Sequence, residues 1–209
     1  MIDFLFKAEG IAKSFSPRKY LFENIELSIN PSDILGIAGP NGSGKSTLMR
    51  ILAGNIKPDK GSVQLSIDGK IISREEMHKY IGYVAPYVNL YDEFTPIEMI
   101  DCFAKLKLLN DINAEKFLTE FNLIKHKNKQ VKLFSSGMKQ RMKYIIALLN
   151  NPVLLFLDEP TENLDDEGVA MFQRIVETQS QRGGAVIIAS NDEREKSLCH
   201  SILTITKNE

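Results

Sequence analysis

A glycine-rich run near the start of the chain combines residue types that bind a polyphosphate. Residues 39–46 read GPNGSGKS, a full match to the pattern GxxxxGK followed by Ser or Thr. The run follows the apolar segment Ile34–Ala38 and precedes a helical segment that begins near Ser46. Glycines let successive backbone N–H groups point into one concavity, and the N-terminus of the following helix adds partial positive charge. The sequence therefore predicts a phosphate-binding loop, with a plain glycine-rich turn that opens a helix as the alternative.

Two side chains of this loop carry the expected chemistry. Lys45 would neutralise the β and γ phosphates of a bound nucleotide, and the Ser46 hydroxyl would bind a Mg²⁺ ion that bridges the same oxygens. The predicted nucleotide contacts in the loop are Gly39, Pro40, Asn41, Gly42, Ser43, Gly44, Lys45, Ser46 and Thr47.

Two carboxylates follow a second short apolar run. Residues 154–157 read LLFL, which is typical of a buried strand, and Asp158 and Glu159 come directly after them. In an open α/β sheet the C-terminal ends of the strands face the ligand crevice. Asp158 is then suited to Mg²⁺ through its water shell, and Glu159 to orienting or deprotonating an attacking water. The alternative is that two acidic residues merely end a strand.

The segments that must position these residues alternate between strand and helix patterns. Short apolar runs without alternation, at residues 34–38, 154–157 and 186–189, indicate strands buried on both faces of a parallel sheet. Alternation at 25–29 and 62–67 is typical of antiparallel strands. Helical spacing is found at residues 46–53, 97–109, 114–123, 138–149 and 168–181. The predicted fold class is therefore α/β.

One domain covers residues 1–209 in this interpretation, with a helical part inserted into it. No strand pattern stands out between residues 87 and 150, and no internal repeat is evident. We predict an α/β core formed by residues 1–86 and 151–209, and a helical subdomain formed by residues 87–150.

The composition argues against several classes of partner and site. The chain has 26 Lys and Arg residues against 27 Asp and Glu residues, a formal net charge of −1, so no bulk charge attracts nucleic acid. No apolar run approaches the ~18 residues that a membrane-spanning helix needs, so no direct membrane insertion is expected. The two cysteines, Cys102 and Cys199, lie far apart, which argues against a disulfide framework or a zinc site. We expect a cytoplasmic protein.

A third motif lies between the two already described. Residues 134–141 read FSSGMKQR, and the three motifs in this order resemble those of the ATP-binding-cassette (ABC) ATPases. The signature of that family is LSGGQ, from which this chain departs at Phe134, Ser136 and Met138. The resemblance covers about residues 2–205. It implies a P-loop NTPase core of mostly parallel sheet, an antiparallel β part near the N-terminus and a helical insertion, with ATP and Mg²⁺ as cofactors.

The resemblance also implies a dimer. In relatives, two nucleotide-binding subunits pack head to tail, and each ATP lies between one phosphate loop and the signature turn of the partner. By that resemblance Ser135, Ser136 and Gly137 bind the nucleotide of a second ABC ATPase subunit. From the residues alone, the same turn is also explained as the N-cap of the following helix.

Two further roles are implied by the resemblance alone. Phe15 corresponds to the aromatic residue that stacks on adenine, and the alternative is a core phenylalanine in an amphipathic strand. Glu162, Asn163, Leu164 and Asp165 correspond to a short family loop whose terminal Asp lies at the dimer contact. For Asp165 the alternative is an exposed aspartate that caps a helix.

Two positions depart from the family pattern where hydrolysis is concerned. Pro86 replaces a glutamine that touches Mg²⁺ and senses the transporter, and proline has neither a side-chain ligand nor a backbone N–H. Tyr87, Asn89 or water would fill the gap. Asn191 replaces a histidine that reaches the γ-phosphate, and its amide donates a hydrogen bond without carrying charge. We therefore predict slow hydrolysis. The predicted catalytic residues are Glu159, Lys45 and Asn191.

The resemblance implies the ATP-binding and ATP-hydrolysing subunit of an ABC transporter, peripheral at the cytoplasmic face of the membrane. It would drive translocation through a separate transmembrane permease subunit docked on the helical part and the loop 86–95. It would also pair with a second ABC ATPase subunit, identical or different. Few residues follow Asn191, which favours export. The alternative is a cytosolic ATP-dependent switch or scaffold with slow hydrolysis and no transport role.

Overall fold

The computed structural model describes residues 2–16, 19–162 and 164–206, which form two β-sheets with helices around them. The strands are β1 (Phe4–Ser16), β2 (Lys19–Ile29), β3 (Ile34–Ala38), β4 (Lys60–Ile67), β5 (Lys70–Ile72), β6 (Ile81–Val84), β7 (Leu154–Asp158), β8 (Ala185–Ala189) and β9 (Ser201–Thr204). The α-helices are α1 (Lys45–Leu52), α2 (Pro96–Leu106), α3 (Ala114–Glu120), α4 (Ser136–Leu148), α5 (Asp166–Gln181) and α6 (Glu193–Lys196), and short 3₁₀ helices cover Met77–Lys79, Ile124–His126 and Val131–Leu133. Within the described ranges, no helix combines the length and apolarity that a membrane crossing requires.

A five-stranded parallel sheet in the order β6-β7-β8-β3-β9 forms the centre of the fold. β3, β7 and β8 are buried along their whole length, as their uninterrupted apolar runs predict, because side chains cover both faces of the sheet. Alternate residues of β7 enter different cores: Leu154 and Phe156 face one side, and Leu155 and Leu157 face the other. This arrangement confirms the predicted α/β fold class.

The helices divide between the two faces of this sheet. The first core contains Leu48 and Leu52 of α1 together with Phe6 of β1. The second core contains buried residues of α2, α3, α4 and α5, such as Met142 and Phe172. The phosphate-loop helix therefore lies on the opposite face from the helix that follows the FSSGM turn.

A four-stranded antiparallel sheet in the order β2-β1-β4-β5 packs near the N-terminus. The alternating segments 25–29 and 62–67 fall within β2 and β4, so both antiparallel strands are confirmed. β1, β5, β6 and β9 were not predicted. In β1 the alternation is broken where its pairing with β2 shifts register between Ala8 and Ser16, and such irregularity weakens a period of two.

The chain between β6 and β7 is helical. Residues 85–153 are all described and contain α2, α3, α4 and two 3₁₀ helices, with no strand. Residues 81–84, for which no strand was predicted, pair in parallel with β7 as an edge strand. Gly82 allows this close packing, because a Cβ atom there would lie 2.4 Å from the Ala147 carbonyl oxygen in α4.

Candidate nucleotide-binding site

The phosphate-loop motif connects β3 to α1. Gly42 and Gly44 have φ angles of 80° and 102°, which glycine adopts without strain. The Lys45 ammonium folds back across the loop and donates to the Gly39 carbonyl oxygen at 2.7 Å. Gly44 is the N-cap of α1 and has no capping side chain, so first-turn N–H groups of the helix remain for an anion. The loop has the shape that phosphate binding requires.

The interior of the loop also carries a polar group without a partner. The Ser43 N–H donates to the Pro40 carbonyl oxygen at 3.0 Å. The Ser43 hydroxyl is fully buried and has no hydrogen-bond partner among the described residues. This hydroxyl can donate only if a group enters the loop.

An open cleft of ≈ 300 Å³ separates this loop from the residue that follows β7. Its volume is at the lower end of the ~300–1,000 Å³ usual for ligand sites. Glu159 lines the cleft, has a φ of 48°, and donates its N–H to the Ala189 carbonyl oxygen at 2.9 Å. The lining residues are Leu21, Asn41, Gly42, Gly44, Lys45, Ser46, Thr47 and Glu159.

Asp158 is a buried carboxylate without a counter-charge bonded to it. Its side chain lies at the end of β7 and the residue is 1% exposed. Neither carboxylate oxygen has a hydrogen-bond partner among the described residues. Burial raises the pKa of Asp158, and the nearby Ser46 hydroxyl opposes this rise. An uncompensated buried carboxylate beside a serine hydroxyl is a chemically suitable place for a divalent cation.

Mg²⁺ fits this donor set better than a transition metal does. No group of three or more His, Cys, Asp or Glu side chains that could hold a metal occurs in the described part of the chain. Mg²⁺ does not need such a group, since it keeps several waters and takes one or two carboxylates together with substrate phosphates. Ser46 and Asp158 are therefore the candidate magnesium ligands.

The buried charge of Asp158 predicts that replacing this carboxylate stabilises the folded chain and weakens metal binding. Because burial raises the folded-state pKa of Asp158 above its ordinary 3.8, the charged form destabilises the folded chain at pH values above that ordinary pKa. We expect Asp158→Asn to raise the free energy of unfolding at pH 7 by about 1 kcal/mol, or about 2–4 °C in the thermal midpoint. The gain should shrink as the pH falls towards 3.8, where the native carboxyl is protonated.

Thermal unfolding of parent and variant at pH 7 and pH 4, without nucleotide or metal, measures this effect. Adding Mg²⁺ and ADP should stabilise the parent chain much more than Asp158→Asn. A variant that is less stable than the parent at pH 7 would contradict this account of Asp158.

Asn191 lies next to the phosphate loop. Its amide Nδ2 donates to Asn41 Oδ1 at 3.1 Å, across 150 positions of sequence. The loop that follows β8 is thereby joined to the loop that follows β3. This contact brings the predicted catalytic amide to the edge of the phosphate-binding concavity.

The FSSGM turn caps α4. Ser135 is the N-cap residue, and its hydroxyl accepts a hydrogen bond from the Met138 N–H at 3.2 Å, so the capping alternative holds. Ser135 and Ser136 are exposed. Ser136 lines a second cleft with Pro86 and Glu159, whereas residues 135–137 do not line the phosphate-loop cleft of the same chain. Capping leaves the Ser136 side chain available for contacts outside this chain.

Phe15 is outside the core. It lies near the end of β1, is 72% exposed, and has the Lys13 ammonium 5.7 Å from its ring centroid. The neighbouring strand β2 carries Leu21, which packs against Gly44 of the phosphate loop. The core alternative for Phe15 is therefore wrong, and an exposed aromatic ring stands on the hairpin that borders the loop.

Asp165 is a helix cap and also a contact of α4. Its carboxylate accepts the Gly168 N–H at 2.8 Å at the start of α5, and this bond is the main reason that its pKa lies below the usual value. The Arg141 guanidinium, buried in α4, reaches both Asp165 and Glu167 at 3.3 Å. Of the four-residue loop predicted here, Asn163 lies outside the described residues.

Comparison with known proteins agrees with this geometry. The family model for the ABC transporter matches residues 22–162, which span all three motifs. The chain belongs to the ABC transporter family.

The ABC relatives cover most of this chain. The uncharacterized ABC transporter ATP-binding protein YdbJ of Bacillus subtilis is 33% identical over 204 residues, which is 96% of this chain but only 66% of that protein. The lipopolysaccharide export system ATP-binding protein LptB of Haemophilus influenzae is 30% identical, over 90% of this chain and 80% of that protein. This chain thus spans just under two thirds of the length of YdbJ.

A solved ABC cassette has the same fold. The dimeric post-hydrolysis structure of the ATP-binding cassette MJ0796, bound to ADP and Pi, matches with a TM-score of 0.83 and 23% identity. The match covers 98% of this chain and 97% of that chain. At this identity the likeness concerns the fold, and it confirms an ABC cassette architecture here.

Nothing in the sequence indicated one residue, Lys143, that holds the segment directly after β6. The Lys143 ammonium of α4 donates to the carbonyl oxygens of Ala85 and Pro86, each at 2.9 Å. Burial lowers the pKa of Lys143. The backbone of Pro86 is thus hydrogen-bonded to α4, although its side chain offers no ligand. No local signal marks Lys143, because the bond joins positions 57 residues apart.

Proposed function

We propose that this ABC cassette is the ATP-hydrolysing subunit of a transporter, acting at the cytoplasmic face of a membrane. The observation that carries the proposal is the buried Asp158 carboxylate, which has no hydrogen-bond partner among the described residues. It stands at the end of β7, beside a phosphate loop and an exposed Glu159 in the same cleft. The charged Asp158 carboxylate destabilises the fold at neutral pH. A destabilising group in such a place is typical of a site that binds a ligand.

The side chains divide the work of phosphoryl transfer to water. The loop N–H groups and Lys45 bind the β and γ phosphates of ATP, while Ser46 and Asp158 would hold Mg²⁺, which would offset the negative charge of those phosphates. Glu159 accepts a proton from the attacking water while the oxygen atom of that water bonds to the γ-phosphorus. The bond from that phosphorus to the β–γ bridging oxygen breaks, and ADP leaves. Asn191 donates a hydrogen bond to a γ-phosphate oxygen.

A second cassette would complete this site. The exposed Ser135 and Ser136 do not reach the phosphate loop of their own chain, which supports their use by a partner. Phe15, exposed on the β1–β2 hairpin, would stack on adenine. We propose a head-to-tail dimer, formed either by two copies of this chain or with a different ABC ATPase.

A transmembrane subunit would supply the path for the substrate. We propose that it docks on the helical segment between β6 and β7, including the loop 86–95. Aromatic side chains cluster there: Tyr91 lies 5.3 Å from Phe94 and 6.2 Å from Phe103 between ring centroids, and Tyr91 is exposed. The lipopolysaccharide export relative supports export as the direction.

Turnover by this cassette should be slow and should respond to one substitution. Asn191 has no positive charge to stabilise the transition state, so we expect Asn191→His to raise kcat by at least about tenfold and by no more than the ~10²–10³ that one such donor contributes. Steady-state phosphate release measures this, and Asn191→Ala is the matched control that should not gain. An unchanged rate in Asn191→His would mean that another group already makes the contact.

A titration of the purified chain with Mg²⁺ and ATP tests the proposed function. We expect binding heat, nucleotide-dependent stabilisation and an increase in assembly size. Neither heat nor a change in size would overturn the nucleotide-binding proposal. Affinity purification from membranes should then recover a multi-spanning protein, and its absence would overturn the transport proposal while leaving ATP binding intact.

A second candidate function is an ATP-dependent switch or scaffold in the cytosol. Pro86 and Asn191 favour it, since both weaken the groups that drive hydrolysis. Membrane fractionation of the untagged protein distinguishes the two. A chain that stays wholly soluble while it binds ATP supports the switch, and a chain that sediments with membranes supports the transporter subunit.

A further inference from the structure

The strand before the loop 86–95 ends at the same edge of the sheet as the buried carboxylate. β6 runs parallel to β7, with Val84 level with Leu157. Residues that follow Val84 therefore leave the sheet where Asp158 stands. Tyr87 is three positions beyond the end of β6, within one short turn of this edge.

The Tyr87 side chain is held from two sides. Its hydroxyl is hydrogen-bonded to the Tyr83 hydroxyl, and the Tyr83 ring stacks on Phe156 with centroids 6.1 Å apart. On the other side, the Arg50 guanidinium lies 5.6 Å from the Tyr87 ring centroid. Arg50 follows Ser46 by four residues on α1, so both project from the same side of that helix. Contacts with β6 and with α1 therefore hold the Tyr87 side chain near this edge of the sheet.

The backbone before Tyr87 is also fixed. Lys143 holds the carbonyl oxygens of Ala85 and Pro86 at 2.9 Å each. These two charge-assisted hydrogen bonds hold the two residues that precede Tyr87. The position of the tyrosine hydroxyl is thus set by contacts with β6, α1 and α4.

Tyr87 and Asp158 are close enough to affect each other's ionisation. Burial raises the pKa of Tyr87, and the neighbouring Asp158 carboxylate adds to the rise. In Asp158, whose pKa is raised by burial, the nearby Tyr87 hydroxyl opposes that rise. The neutral phenol is therefore the form present at neutral pH.

We propose that the Tyr87 hydroxyl is a positioning group for the metal site, which hydrogen-bonds a water of the Mg²⁺ ion held by Ser46 and Asp158. This inference rests on the proposed nucleotide site. Mg²⁺ keeps most of its waters, so groups that orient those waters contribute to metal affinity without binding the ion directly. Pro86 offers no such group, and the adjacent tyrosine supplies one from the same fixed segment.

Mn²⁺ binding in the presence of ADP tests the role of Tyr87 without turnover. Electron paramagnetic resonance counts free Mn²⁺ during a titration of parent, Tyr87→Phe and Tyr80→Phe proteins. We expect Tyr87→Phe to weaken Mn²⁺ binding by about 10-fold or more, as loss of an outer-shell partner does. Tyr80→Phe removes a hydroxyl just before β6, at the opposite end of that strand, and should match the parent. ADP affinity without metal should be equal in all three.

The outcomes separate this inference from the proposed function. If the parent chain binds no Mn²⁺ with ADP, the proposed nucleotide site itself fails. If the parent binds Mn²⁺ and Tyr87→Phe binds it equally well, only the role of Tyr87 is overturned. A loss that also appears in metal-free ADP affinity would assign Tyr87 to the shape of the loop, and would likewise overturn the metal role.

Discussion

Glu159→Gln will lose about 10²–10⁴-fold of ATP turnover, the usual contribution of a general base, while it still binds ATP. The side chain of Glu159 lines the phosphate-loop cleft, and its backbone N–H donates to the Ala189 carbonyl oxygen. Glutamine keeps the size of the side chain and removes its basicity. ATP would therefore stay bound, and the ATP-bound dimer would persist.

Single-turnover phosphate release and light scattering in the presence of Mg²⁺ and ATP measure these two effects. Glu193→Gln is the matched control, because this exposed carboxylate pairs with Lys196 on α6 and does not line the cleft. It should behave like the parent. Parent-like turnover in Glu159→Gln would remove Glu159 from water activation and would direct attention to another acceptor.

Lys45→Ala will weaken ATP binding by about 30–150-fold, which corresponds to about 2–3 kcal/mol for hydrogen bonds to a charged group. The buried Lys45 ammonium donates to the Gly39 carbonyl oxygen. The same ammonium lies in the loop concavity, where phosphates would replace that carbonyl as its partner. Alanine removes the positive charge but leaves the glycine backbone of the loop.

Isothermal titration with ATP and Mg²⁺ gives the affinity, and thermal unfolding without ligand checks that Lys45→Ala folds. Lys70→Ala is the matched control, since Lys70 is exposed on β5 at the outer edge of the antiparallel sheet. An equal affinity in Lys45→Ala and Lys70→Ala would contradict the assignment of the phosphate loop.

Several residues have a structural role and remain available for a functional one. Ser135 caps α4 and Asp165 caps α5, in agreement with the helix-capping alternatives considered for both positions. Arg141 connects these two helix ends through its contacts with Asp165 and Glu167. These contacts join α4, which the signature turn begins, to the segment that follows β7.

Local motifs could be interpreted from the sequence because their physics is local. The glycines of residues 39–46, the lysine and the serine lie within one turn and one helix start, so their order alone predicts their geometry. The uninterrupted apolar runs also predicted the strands β3, β7 and β8, because a strand covered on both faces is apolar throughout. The motif order then identified the family.

Only the tertiary structure decided which distant groups meet. β6 and β9 are short edge strands that exist through pairing with β7 and β3, and their own sequences do not require it. The Asn41–Asn191 bond joins loops 150 residues apart, and the segment that carries Tyr87 leaves the sheet at the edge where Asp158 lies because β6 and β7 end there together. The sequence determined the chemistry of each loop, because it depends on neighbours along the chain. The assembled site depends on strand order, which only packing of the whole chain sets.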